Sequence, residues 1–275
     1  MSVVRERLAR IVAERRAIPA HMVWASADSV KEFQSLLRRT LFLGLSDGAR
    51  MDALRRTNTG IISNEQVMIA TELEDAKWKS AVKKLRAESG DAAAKFEVVF
   101  LIDDFAGSGK TCLRKEPDGS WDGKLAKFYK RTTSLADTFV ADPVFCVHHY
   151  VASHEASMGM PTANDAARKD RGTDWFRALE FTFGAILPTS VKVTRERHGQ
   201  FLDLVEKYYD SAIETVHTDV GGSSGVRLGF GACALPLVLE HNTPNNSVAL
   251  LWADTEGEGG QHPMRPLFRR RQRHI

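Results

Sequence analysis

The residues from Val98 to Ile102 are the feature that most constrains the fold of this chain. They form a run of five large or β-branched apolar residues, with Glu97 before it and the acids Asp103 and Asp104 after it. An apolar run that lacks polar alternation is typical of a central parallel strand with both faces covered. Because ligands of open α/β sheets bind outside the carboxyl ends of the strands, the residues after Ile102 should form a ligand loop.

The loop after the acid pair has the composition of a phosphate-binding turn. Gly107 and Gly109 let the backbone approach a ligand closely. Ser108, Lys110 and Thr111 add two hydroxyl groups and a cation. Successive backbone N–H groups in such a turn form a concavity that binds anions, so the loop is suited to holding a phosphate.

Two other interpretations of this loop stay open. A Walker A loop, G-x-x-x-x-G-K-[ST], would use Lys110, but Asp104 stands where the pattern needs its first glycine. A carboxylate at that position would oppose the charge of the phosphate. The second interpretation is a strand–loop–helix turn that uses aspartate and glycine only for its geometry.

The acids and the loop together resemble the 5-phosphoribosyl-1-pyrophosphate (PRPP) signature of type I phosphoribosyltransferases. The shared pattern is an apolar strand, two acids, three variable residues and Ser-Gly-x-Thr. By this resemblance Asp103 and Asp104 receive the ribose hydroxyl groups as the catalytic acid pair. The loop that would wrap the 5-phosphate consists of Phe105, Ala106, Gly107, Ser108, Gly109, Lys110 and Thr111.

A second strand–loop–helix pattern lies upstream. Leu41 to Leu45 is short and apolar, and an early loop of this kind grips pyrophosphate in the same enzymes. In this chain the loop would be Ser46, Asp47, Gly48, Ala49 and Arg50. Serine, aspartate and glycine also form ordinary turns and caps, so this assignment has a purely structural alternative.

These two loops and the polar run between Gly229 and Asn246 resemble, more narrowly, the PRTase-CE-like proteins of bacterial conflict and retron-associated defence systems. The resemblance covers residues 25–255. It implies PRPP or a related phosphoribosyl or nucleotide ligand, Mg²⁺ bound with the pyrophosphate, and reaction at ribose C1. It also suggests an anti-phage effector. The alternative is a catalytically silent sensor of nucleotide or PRPP that regulates a partner protein or nucleic acid.

Polar residues elsewhere are candidates for contact with the acceptor or base. A strand predicted over residues 144–151 would end near the acid pair after a right-handed crossover. Adjacent histidines on a strand point to opposite faces, so this pair is not expected to bind one metal ion. No direct metal ligand is therefore assigned. The candidates are His148, His149, Glu240, His241 and Asn242.

Composition limits the class of protein. With 43% hydrophobic and 27% charged residues the chain is typical of globular domains, and a net charge of +3 argues against a surface that coats nucleic acid. The cysteines form no C-x-x-C pair, which predicts neither a disulfide framework nor a zinc site. The N-terminus has no signal-peptide core, and no run approaches the length of a membrane span, so we expect a cytoplasmic protein.

The pattern as a whole predicts an α/β fold with a central, mostly parallel sheet flanked by helices and with helical N-terminal additions. Helical spacing predicts helices over residues 65–88 and 163–181, and a helix from Leu125 that Asp142-Pro143 closes. The predicted organisation is an N-terminal extension (1–24), the phosphoribosyltransferase-like domain (25–255) and a basic tail (256–275). The tail arginines suit contact with RNA, DNA or an acidic protein. The sequence is also compatible with an oligomer.

Overall fold

The computed structural model of the protein describes residues 1–71, 73–214, 225–257 and 262–268. These residues form two compact units. The first unit comprises residues 1–104, 115–150 and 164–182, and the second comprises 105–114, 151–163 and the chain from 183 onward. The boundary at Asp104 falls inside the predicted ligand motif, between the acid pair and the loop.

Helices and strands alternate along the chain. The helices are α1 (Ser2–Arg16), α2 (Ala27–Arg38), α3 (Met51–Thr57), α4 (Asp75–Ser89), α5 (Lys124–Thr133), α6 (His154–Arg171) and α7 (Arg195–Tyr208). The strands are β1 (Thr40–Gly44), β2 (Val67–Met68), β3 (Phe96–Ala106), β4 (Arg114–Lys115), β5 (Trp121–Asp122), β6 (Phe139–Ser153) and β7 (Ala178–Leu187).

The central sheet confirms the predicted α/β class. Its five strands lie in the order β2-β1-β3-β6-β7, and β4 and β5 form a separate two-stranded sheet. Strand β1 pairs in parallel with β2 on one side and with β3 on the other, with Gly44 opposite Ile102. Each parallel pairing needs a crossover, which the helices between the strands provide.

Strand β3 is the buried strand that the apolar run predicts. Val98, Val99, Phe100 and Leu101 are completely inaccessible to solvent. The strand is longer than expected, because it continues through the acid pair to Ala106. The two acids therefore lie within a strand, where successive side chains point to opposite faces of the sheet.

One face of the sheet in the first unit packs against α1. Leu8 and Val12 of this helix belong to the same buried cluster as Phe42, Val98 and Phe100 of the strands. The N-terminal helix is thus part of the core of the first unit. The predicted domain boundaries at residues 24 and 255 stay a prediction.

The opposite face packs against α4 and α5. Two aromatic residues of β6 make edge-on ring contacts with these helices. Phe139 contacts Trp78 of α4, and Phe145 contacts Phe128 of α5. Lys124, the first residue of α5, donates a hydrogen bond to Asp103, so Asp103 is on the side of the sheet that α5 covers. Asp104 is on the other side.

Several predicted elements are wrong in extent. Only Asp75–Ser89 of the predicted 65–88 helix is helical, because Val67–Met68 forms the edge strand β2. The predicted helix over 163–181 begins at His154 and ends at Arg171, and Ala178–Leu187 is strand β7. Short apolar runs satisfy helical and extended spacing equally, so pairing partners decide between them.

The proline of Asp142-Pro143 does not close a helix. Helix α5 ends at Thr133, and Pro143 lies inside β6. The φ of proline is compatible with an extended strand, although proline donates no hydrogen bond to a neighbour. Strand β6 consequently starts earlier than the predicted residue 144.

The C-terminal part of the second unit has little regular structure. After α7, its core consists of a small cluster that includes Leu202, Val205, Ala234 and Val248. Residues 221–224, part of a run of glycine and serine, lie outside the described residues. Of the basic tail, Arg265 pairs with Asp254 and Glu256, whereas Arg269, Arg270, Arg271 and Arg273 lie outside the described residues.

Within the described part of the chain, no helix has the length and apolar character needed to cross a lipid bilayer.

Candidate functional site

The strands of the two predicted strand–loop patterns, β1 and β3, pair side by side in the first unit. Gly44, the last residue of β1, is opposite Ile102 of β3, and the backbone N–H of Leu45 donates to the Ile102 carbonyl at 2.7 Å. The loop that follows β1 therefore starts next to the acid pair. Carboxyl ends of parallel strands share one edge of a sheet, which is where α/β folds bind ligands.

Asp103 lies in the interior at this edge, with only 2% of its surface exposed. Its Oδ2 accepts a hydrogen bond from Lys124 Nζ at 2.5 Å. Its Oδ1 accepts from the Ser46 hydroxyl and, at 3.1 Å, from the backbone N–H of Asp104. Both carboxylate oxygens are thus bonded to protein donors.

Lys124 is the counter-charge of this carboxylate. Burial would raise the pKa of Asp103, but the charge and hydrogen bond of Lys124 and the hydrogen bond of Ser46 outweigh burial and lower it. The third neighbour is His149, whose Nε2 lies 4.0 Å from Asp103 Oδ2. Burial lowers the pKa of His149 to about 4, so its ring is neutral at pH 7.

Asp104 has a different environment. It is half-buried, on the face of β3 opposite to Asp103. A methyl group on Gly48 would clash with the Asp104 carboxylate, so this acid lies directly over the backbone of the first loop. On the same face, burial and the charge of Asp104 raise the pKa of Tyr150, and the Tyr150 hydroxyl donates to the Ala49 carbonyl at 3.2 Å.

The first loop, residues 46–50, therefore adjoins the acid pair. Ser46 contacts Asp103, and Gly48 contacts Asp104. Residues Asp47–Ala49 form a single 3₁₀ turn, and Arg50 adopts a left-handed conformation. Helix α3 has only seven residues, so little of an anion's binding energy can come from its dipole. The pyrophosphate role of this loop stays a prediction.

The predicted phosphate loop belongs to the second unit. Gly107 and Gly109 are buried, Ser108 and Lys110 are half-buried, and Thr111 is exposed. The Ser153 hydroxyl donates to the Gly107 carbonyl at 2.5 Å and accepts from the backbone N–H of Ala156 at 3.0 Å. This contact ties the loop to the start of α6.

The C-terminal segment also packs on this loop. A side chain at Gly107 would overlap Asn246, and one at Gly231 would come within 3.0 Å of Ser108. The Asn246 amide donates to the Phe230 carbonyl at 3.0 Å, so the asparagine is itself held in place. Gly109 has a φ of +75°, a conformation that favours glycine.

Residues 112–123 interrupt the chain between this loop and the next helix, α5. The backbone N–H groups of Cys112 and Leu113 both turn back to the Gly109 carbonyl. The short hairpin of β4 and β5 comes next, and α5 starts only at Lys124. The interruption brings the first residue of α5 to Asp103.

The two strand histidines face opposite ways, which agrees with the prediction. His149 contacts Asp103, whereas the Nδ1 of His148 lies 2.9 Å from the Thr182 hydroxyl. Glu240 and His241 form the tip of a tight turn that paired backbone bonds between Leu239 and Asn242 close. This turn belongs to the second unit, and its role as an acceptor contact stays a prediction.

Comparison with known proteins gives one match. The model of the PRTase-CE family matches residues 9–270. The chain belongs to this family. The family name describes a phosphoribosyltransferase-like protein, which agrees with the resemblance of the acid pair and its loop. No curated protein and no solved structure matches the chain.

Three residues near the PRTase-CE motif were missed by the sequence analysis: Lys124, Ser153 and Asn246. Lys124 follows an insertion that separates it from the motif, so no spacing rule pointed to it. Ser153 ends β6 and was overlooked beside the histidines. Asn246 was part of the polar run, but nothing in the sequence distinguished it from the neighbouring asparagine.

Proposed function

We propose that this PRTase-CE protein binds PRPP or a related phosphoribosyl compound and cleaves or transfers at ribose C1. One observation carries the proposal. The loop after β1 and the acid pair of β3 adjoin at the carboxyl edge of a parallel sheet, where Ser46 and Gly48 contact Asp103 and Asp104. Membership of a phosphoribosyltransferase-like family supports the same ligand class.

In this proposal each part of the motif has one task. The acid pair receives the ribose hydroxyl groups, because carboxylates accept hydrogen bonds. The loop of residues 105–111 receives the 5-phosphate through its backbone N–H groups. The first loop, residues 46–50, receives the pyrophosphate. His148, His149, Glu240, His241 and Asn242 remain candidates for acceptor contacts.

The reaction is a displacement at C1. The bond between C1 and the pyrophosphate oxygen breaks, and its electron pair leaves with pyrophosphate. A nucleophile, either water or the acceptor, forms the new bond to C1 and gives up a proton. Oxocarbenium character at C1 develops as it does in glycoside hydrolysis. The protein contributes positioning and electrostatic stabilisation.

Magnesium fits the residues at the acid pair. Mg²⁺ prefers oxygen ligands and is usually bound through one or two carboxylates together with substrate phosphates. Asp104 is a half-buried carboxylate beside the first loop, and would hold such an ion. The ion would neutralise charge on the departing pyrophosphate. In the described part of the chain, no cluster of three or more His, Cys, Asp or Glu side chains is arranged to hold a metal ion by itself.

Release of pyrophosphate tests the function. Purified protein with Mg²⁺ and PRPP should release pyrophosphate, and Asp104→Asn should abolish the release. The matched control is Asp137→Asn, which changes an exposed acid whose side chain lies 3.7 Å from Lys95. Saturable PRPP binding without release would identify a sensor. Nucleoside triphosphate hydrolysis that requires Lys110 but not Asp103 would favour the Walker-like interpretation.

If water is the acceptor, the reaction depletes a nucleotide precursor, which suits an anti-phage effector in the bacterial cytoplasm. A partner protein or nucleic acid would then control it. Expression of the active protein should lower cellular PRPP, and the Asp104→Asn variant should not. Unchanged PRPP during growth arrest would exclude this role.

A further inference from the structure

The carboxylate of Asp103 is fully engaged by the protein. Lys124 donates to Oδ2 at 2.5 Å, while Ser46 and the backbone N–H of Asp104 donate to Oδ1. A carboxylate offers about four acceptor positions, and His149 Nε2 also lies 4.0 Å from Oδ2. A ribose hydroxyl would have to approach a carboxylate that is only 2% exposed and already accepts these bonds.

The energetic role of Lys124 follows from burial. An ionised carboxylate that is 2% exposed is costly unless a charge and hydrogen bonds compensate it. His149 is neutral at pH 7, because burial lowers its pKa to about 4. Lys124 is therefore the cation that compensates Asp103. Its own side chain is 26% exposed, so it lies where the interior meets the edge of the sheet.

Asp104 has different surroundings. It is half-buried, and its carboxylate lies over Gly48 on the other face of β3. The acids of the pair thus have separate surroundings, although they are adjacent in sequence.

We infer that Lys124 is a positioning residue of the candidate site. It holds the Asp103 carboxylate inward, Asp103 holds Ser46 of the first loop, and Asp104 is the acid that meets the hydroxyl groups of the ligand. The identity of the ligand rests on the proposed function. The coupling between Lys124 and Asp103 does not.

A double-mutant cycle tests that coupling in the full chain without ligand. Lys124→Met and Asp103→Asn should each lower the urea midpoint, and the double variant should lose clearly less than the sum, because each single change leaves one buried partner uncompensated. Lys124→Arg keeps the cation and should restore most of the midpoint. Lys127→Met, at an exposed lysine of the same helix, is the control and should change little. Additive losses would overturn the inference.

Binding of PRPP with Mg²⁺, measured by calorimetry, tests the division of roles. Asp104→Asn should weaken binding at least about tenfold. Lys124→Met should also weaken binding, and Lys124→Arg, which keeps the cation beside Asp103, should restore most of the affinity.

These experiments distinguish the positioning role of Lys124 from the proposed binding of PRPP. Wild-type affinity in Lys124→Met, or a loss that Lys124→Arg does not restore, would overturn the positioning role. Full affinity in Asp104→Asn would overturn the role of Asp104 as the acid that meets the ligand. If wild type binds no PRPP, the proposed function fails, and the urea cycle still decides whether Lys124 and Asp103 are coupled. If Asp103→Asn does not fold, the urea midpoints of Lys124→Met and Lys124→Arg decide instead. Equal midpoints would show that the cation at position 124 does not stabilise Asp103.

Discussion

His149 shows, at the scale of one residue, how burial sets a pH response. Burial lowers the pKa of its imidazole from 6.5 to about 4 in the folded protein. Between these values the unfolded chain binds the proton more strongly, so the free energy of unfolding falls as the pH falls from about 6.5 to about 4. The slope for one proton is at most about 1.4 kcal/mol per pH unit.

His149→Gln should therefore reduce the difference in unfolding free energy between pH 7 and pH 5, measured by urea denaturation at both values. His148, whose pKa burial also lowers, keeps part of the slope. His21→Gln, at an exposed histidine, is the control. A wild-type slope in His149→Gln would contradict the assignment of this ring as neutral and buried.

Gly107 shows how space constrains a single position of the loop. A methyl group there would overlap the side chain of Asn246, which is buried and held by its hydrogen bond to Phe230. Gly107→Ala should cost about 1–3 kcal/mol of stability, the usual range for overpacking. Thermal unfolding measures the loss, and Gly199→Ala, where nothing lies near the added methyl group, is the control. Equal stability of Gly107→Ala and Gly199→Ala would contradict this prediction and would show that the Asn246 side chain moves to accommodate the methyl group.

At the scale of an element, helix α1 shows how packing in the core determines stability. The sequence presents it as a charged amphipathic extension, but Leu8 is fully buried in the cluster that contains Phe42 and Phe100. Leu8→Ala should destabilise the protein by about 2–5 kcal/mol, which is typical of a buried leucine. Arg10→Ala, on the exposed side of α1, should change stability by about 0.5 kcal/mol or less. Urea midpoints compare the two, and a small effect of Leu8→Ala would mean that α1 is peripheral.

The same scale explains which elements were predictable. Strand β3 was evident because an uninterrupted apolar run fits only an environment that is buried on both faces. Strand β2 and the first residues of β7 were mistaken for helix, because their identity depends on the neighbouring strand with which they pair. The local sequence does not specify which strand that neighbour is.

At the scale of the whole molecule, a ligand that binds only the folded chain must stabilise it. PRPP with Mg²⁺ at 100 times its dissociation constant should raise the free energy of unfolding by about 2.7 kcal/mol. Thermal unfolding with and without PRPP measures the shift, and Asp104→Asn should show little of it. Ribose 5-phosphate, which lacks the pyrophosphate, should give a smaller shift. The same shift for both compounds would contradict a role of the first loop in binding pyrophosphate.

The sequence by itself determined the α/β class, the central strand, the acid pair and the two loops, because apolar runs, glycines and paired acids act locally. Only the tertiary structure decided that Asp103 turns inward to Lys124 while Asp104 lies over Gly48, and that Asn246 packs on Gly107. Those outcomes depend on residues distant in sequence, which pack together only when the chain has folded.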